Sequence, residues 1–176
     1  RGLTFAFQRP LWREAMLRHH ALIPVSSFLE PIYTGQHAGQ MMAFSDPDNP
    51  VLFLAGIFNQ TIDTKTGEIY KGFSVLTDFA HPYVQQIGHH RTVVTLAPHA
   101  AREWIKTRSW DGQETVRFLL SNRYQLNLNA HSFRTMKNWQ SRVSTSQQKA
   151  DYEESVRERI EQARKDWLLD NKARPG

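Results

Sequence analysis

Two short segments carry the side chains that acid–base chemistry needs. Glu30 sits within Phe28, Leu29, Glu30, Pro31 and Ile32, and such an apolar surround raises a carboxyl pKa and makes a proton donor near neutral pH. An exposed carboxylate at a strand end needs neither cleft nor partner, and the local sequence by itself favours that plainer reading. His89, His90 and Arg91 stand between Gly88 and the β-branched run 92–96. If they belong to a strand, alternation puts His89 and Arg91 on one face and His90 on the other. His89 then suits a proton shuttle, and Arg91 a bidentate hold on phosphate or carboxylate. A hydrogen-bonded surface histidine pair fits the same residues equally well.

Other chemistries lack their residues. The 176 residues include no cysteine, which excludes a disulfide, a thiolate metal site and a cysteine nucleophile within this chain. His19 with His20 and His89 with His90 are adjacent pairs, without the i, i+4 spacing that presents two imidazoles to one ion, so no metal is expected. There is no Gly-rich phosphate loop and no GxSxG elbow, and no cofactor is expected. The longest apolar run, 51–58, is strand-sized and far short of a bilayer span, and the first residues lack a signal-peptide pattern. A cytoplasmic protein without a membrane partner is the expectation.

Charge points to an anionic partner. Lys and Arg number 22 against 17 Asp and Glu, a formal net charge of +5. Residues 115–150 hold Arg117, Arg123, Arg134, Lys137, Arg142 and Lys149 and no acid, interleaved with Tyr124, His131, Phe133 and Trp139. Cations beside flat side chains are what a single-stranded nucleic-acid groove requires. Core aromatics beside a solvated basic face would give the same pattern.

The elements that must position these residues follow from periodicity and turn chemistry. Composition is that of an ordinary globular chain, 40% hydrophobic. Residues 9–20 read as a helix with Leu11, Trp12, Ala15, Met16 and His19 on one face. Residues 21–32 read as an edge or irregular strand, because Pro24 and Pro31 cannot donate to a ladder. Strands are expected over 41–45, 51–61, 68–77 and 92–96, with a loop over 78–88 and a helix starting at Pro98. Asp111 and Glu114 have capping-box spacing before another helix. A long helix is expected over 146–171, with an apolar stripe of Tyr152, Val156, Ile160, Ala163 and Trp167 and with Glu153–Arg157 and Glu161–Lys165 pairs. The class is α+β with mostly antiparallel strands: a domain over 1–145 and a helical extension over 146–176. The stripe fits core packing first, and a partner helix or dimer seam over 146–171 second.

Taken together, three segments resemble the SOS response-associated peptidase (SRAP) family. The family strand I-P-A-D-G-F-Y-E-W is similar to Ile23, Pro24, Val25, Ser26, Ser27, Phe28, Leu29, Glu30 and Pro31. Its L-A-G-L-W is similar to Leu54, Ala55, Gly56, Ile57 and Phe58. Its F-T-I-L-T, A-N-P-L-V and H-D-R-M-P-V-I-L are similar to 73–77, 80–84 and 89–96. The resemblance covers about residues 1–105. It implies a barrel-type sheet flanked by short helices, with Glu30 and His89 as active-site residues and Arg91 on DNA phosphate. It further implies single-stranded DNA binding, covalent capture of abasic sites through an N-terminal cysteine, and associated autopeptidase and lyase chemistry in the DNA damage response. Arg1, Gly2, Leu3 and Thr4 are similar to the family's R-x-E-T, which would put Arg1 on phosphate too, and Arg134 and Lys137 are expected to extend the contact. The family's cysteine is absent from this chain, so the expectation is that it precedes Arg1 in the complete protein. A noncatalytic nucleic-acid or protein interaction module is the alternative.

Overall fold

The computed structural model describes residues 10–106 and 110–170. The alternating run that begins at Leu52 becomes the longest strand, β4 (Leu52–Ile62), and three others hydrogen-bond to it. These are β1 (His20–Val25), β5 (Ile69–Val75) and β8 (Thr95–Leu96), all antiparallel to β4. The order is β1-β4-β5, with β8 also on β4. A second sheet has the order β2-β3-β9, from β2 (Phe28–Pro31), β3 (Gln40–Ser45) and β9 (Asn129–Thr135). β6 (Thr77–Phe79) pairs with β7 (Arg91–Val93). Five α-helices are described: α1 (Pro10–Arg18), α2 (Pro82–Ile87), α3 (Pro98–Lys106), α4 (Gly112–Ser121) and α5 (Val143–Asp170). The α+β class, the antiparallel strands and the long C-terminal helix are as the sequence leads one to expect. Barrel closure is not: among the described residues no sheet closes. β1 and β5 end the strand order, and Pro24 leaves β1 without one of the backbone donors that a closed ladder would use.

The chain divides into two compact units. One holds the described residues up to 29 together with 43–78 and 92–131. Its core joins Ala15 and Met16 of α1, Ala55 and Ile57 of β4, Leu76, Val94, Leu96, Trp104 of α3 and Leu119 of α4. Trp104 is fully buried, and its indole N–H donates to the Ala21 carbonyl at 2.9 Å, so its polar edge is satisfied. His20 stacks on that indole at 3.8 Å, with its ring nitrogens 2.9 and 2.8 Å from the carbonyls of Trp104 and Met16. It is a core histidine. The expected capping box forms: the Asp111 carboxylate accepts from the Gln113 and Glu114 amides, and Glu114 accepts from the Asp111 amide. On β4 and β5, Phe58 stands opposite Phe73 and Ile62 opposite Ile69, all four exposed.

The other unit holds 30–42, 79–91 and the described residues from 132 onward. After Glu30 the chain turns back through Gly39, where mutual hydrogen bonds between Ile32 and Gly39–Gln40 close the loop. Gly39 has φ 85°, and a Cβ there would fall 2.6 Å from the Trp139 indole nitrogen. Trp139 therefore seats against bare backbone, anchoring the short 3-10 helix Trp139–Arg142 that leads into α5. Residues 82–87, expected as loop, are the helix α2. Pro82 starts it, the His81 ring accepts from the Tyr83 amide, and Gly88 ends it in the left-handed region. α5 begins three residues before the expected start. Its inward side carries Ala150, Glu153, Val156, Arg157, Ile160 and Arg164, with Val156 and Ile160 buried. Tyr152 and Ala163 of the expected stripe are exposed, and the side chain of Trp167 lies outside the described residues.

Candidate active site

Glu30 reaches the site from the end of β2, and His89 follows the C-terminus of α2. The turn between α2 and His89 depends on Gly88, whose φ is 116°, and a Cβ there would lie 2.8 Å from the Thr34 carbonyl oxygen. The missing side chain lets the end of α2 approach the backbone just beyond Glu30. The outcome is a direct meeting: Glu30 Oε2 lies 3.4 Å from His89 Nε2, with the two side chains only 13% and 12% exposed. The plainer reading of Glu30 as an exposed carboxylate does not survive this geometry.

Burial sets the proton arrangement. Desolvation pushes the Glu30 carboxyl from its ordinary 4.5 up to about 8. Desolvation also lowers the His89 pKa, helped by neighbouring His90 and opposed by the Arg91 carbonyl and the Glu153 charge. Both groups are therefore neutral at pH 7. The tautomer follows from the other side of the ring: His89 Nδ1 lies 2.9 Å from the Arg91 carbonyl oxygen, which can only accept, so Nδ1 carries the hydrogen. The Arg91 amide, 3.4 Å from the same nitrogen, makes the longer and weaker contact and yields to it. Nε2 is left as an acceptor facing protonated Glu30, a donor. The pair thus holds one acid and one base side by side.

His89 and His90 do not diverge as strand alternation would have them do. The strand β7 begins at Arg91, so the two imidazoles precede it and lie 4.9 Å apart. The Arg91 side chain turns to α5, where its Nη1 donates to Glu153 Oε1 at 2.9 Å. Burial lowers the His90 pKa, with Glu153 acting upward and Lys149 downward. Glu153 is a neighbour of this candidate site that the sequence alone did not single out. Its signal was a carboxylate at i−3 from Val156 and i−7 from Ile160, on the inward side of an amphipathic helix. Arg134 and Lys137 are exposed and make no ion pair among the described residues. Arg1 lies outside the described residues.

The order of these segments along the chain is also that of a known family. The family model described as SOS response associated peptidase (SRAP) matches residues 4–138. The chain belongs to the SRAP family. Two solved structures share its fold. A Bacteroides thetaiotaomicron protein is 21% identical with a TM-score of 0.62, the match covering 75% of this chain and 56% of that one. A Bordetella bronchiseptica protein is 24% identical with a TM-score of 0.61, covering 74% and 63%. The chain thus spans about three fifths of the length of these two proteins of similar fold. No curated protein matches it. The SRAP match contains Glu30, His89 and Arg91 and stops before α5, so Glu153 reaches the site from outside the matched region. Among the described residues no group of three or more His, Asp or Glu could hold a metal ion, and no helix is long and apolar enough to cross a membrane.

Proposed function

We propose that the protein binds single-stranded DNA and acts on abasic sites, with Glu30 and His89 as its acid–base pair. The observation that carries this reading is the buried Glu30–His89 contact at 3.4 Å, with burial raising one pKa and lowering the other. A ring-opened abasic sugar presents an aldehyde. When an amine attacks it, the nitrogen loses a proton and the carbinolamine oxygen must gain one to leave as water. Neutral His89 suits the first transfer and protonated Glu30 the second, and each proton can pass on across the pair. The amine and thiol of the family's N-terminal cysteine would give the Schiff base and then the thiazolidine. These 176 residues hold no cysteine, so that thiol has to be supplied from outside them. Autopeptidase and lyase activity would draw on the same acid and base.

Strand binding falls to the cations and flat side chains. Arg91 is read as the phosphate contact nearest the sugar, with Arg134 and Lys137 further along the backbone. The exposed Phe133 of β9, beside Arg134, gives a base a surface on which to stack. The test is incubation of an abasic single strand with a form of the protein carrying the N-terminal cysteine. A covalent band on a denaturing gel is expected, and Glu30→Gln or His89→Ala slows its appearance by about 10²-fold or more. No band from that form, with the strand still bound, leaves the noncatalytic binding module as the reading.

A further inference from the structure

We propose that α5 is a built-in competitor for the anion site: Glu153 holds the Arg91 guanidinium that a nucleic-acid phosphate would take, and strand binding displaces it. The proposal rests on the reading of Arg91 as a phosphate contact. A carboxylate and a phosphate compete for the N–H donors of a guanidinium, and Glu153 already holds Nη1 of Arg91. The Arg91–Glu153 contact is 2.9 Å long, and its side chains are 11% and 17% exposed, so solvent screens it weakly. Chain connectivity does not enforce it, because 62 residues separate the two partners.

The composition of the helix's inward side is selective. Of its charged residues, Arg157 and Arg164 stand over the Phe79 ring at 5.2 and 5.3 Å, and Arg157 also donates to Gln85. Glu153 is the acid among them, and it lies where the helix passes Arg91. The remaining hold on α5 is modest: Val156 and Ile160 are its two buried apolar side chains among the described residues. Lifting the first half of α5 from Arg91 therefore uncovers little apolar surface. The exchange also keeps a negative charge beside His89 and His90, which Glu153 supplies in the closed arrangement and a phosphate would supply after it.

The test measures binding of a fluorescently labelled, undamaged single strand by anisotropy, so that no chemistry intervenes, with circular dichroism to confirm that each variant is folded. Glu153→Gln is expected to tighten binding about tenfold, Arg91→Ala to weaken it, and the double variant to bind like Arg91→Ala. If Arg91→Ala weakens binding but Glu153→Gln leaves it unchanged or weakens it, the carboxylate supports Arg91, and the competitor proposal is overturned while the phosphate reading stands. If Arg91→Ala changes nothing, the phosphate reading itself fails and takes the proposal with it. A second measurement needs no variant: hydrogen exchange across 146–160 of the wild-type chain should quicken when the strand is added. Slower exchange there would overturn displacement.

Discussion

Burial of Glu30 opposes folding once its carboxyl would be charged in the unfolded chain. Its folded pKa lies above its unfolded value, so the penalty is absent below pH 4.5 and grows as pH rises towards about 8. At about 1.4 kcal/mol per pH unit this amounts to roughly 3 kcal/mol near pH 7. Glu30→Gln removes the titration and keeps an N–H donor towards His89 Nε2. Thermal unfolding should show the variant more stable by about 5 °C or more at pH 7, with the gain vanishing by about pH 4.5. A gain over the wild type no larger at pH 7 than at pH 4.5 would show that Glu30 is ionised in the fold. At this scale the sequence was informative through identity and order: Glu30, His89 and Arg91 were singled out by type and by family spacing. Their mutual geometry was not legible, since the Glu30–His89 contact joins residues 59 apart and periodicity says nothing about such a distance.

At the scale of elements, glycine placement decides whether the pair meets. Gly88→Ala combines a strained left-handed backbone with a 2.8 Å approach to the Thr34 carbonyl. It should cost about 1–3 kcal/mol of stability, measured by denaturant unfolding, and slow capture of abasic DNA alongside. Asp111→Ala is the contrasting case. It removes the capping box of α4, costs about 1 kcal/mol and leaves capture unchanged, because α4 carries none of the site residues. The capping box and the long helix could be read in advance because their signals are local. The helix α2 was missed although Pro82 and Gly88 mark its ends, because six residues give no periodic pattern. β9 was missed because a basic stretch with alternating polar residues looks like solvated surface, and in β9 every residue but Ala130 is indeed exposed. Glu153 was read as half of a surface i, i+4 pair with Arg157; tertiary packing overrode that pairing and sent each to a partner on another segment.

For the whole molecule, the excess of basic residues becomes a question of which cations are available to a strand. Arg91 and Arg123 are engaged with Glu153 and Asp78, whereas Arg134 and Lys137 are exposed on and just beyond β9. Arg134→Ala and Lys137→Ala should each weaken binding to intact and abasic strands alike, and each should lower the slope of log K against log salt by about 0.7. An effect confined to abasic strands would assign them to the chemistry. The net charge suggests an anionic partner but could not say which cations were already paired within the fold.

The neutral acid–base pair is the claim on which the functional reading stands, and carbon-13 NMR titration of the Glu30 side-chain carboxyl, assigned by its disappearance in Glu30→Gln, tests it most directly. The account predicts a midpoint near 8, with the carboxyl still protonated at pH 7. A midpoint in the ordinary range near 4.5 would contradict it, leaving His89 facing a carboxylate and the site without its acid.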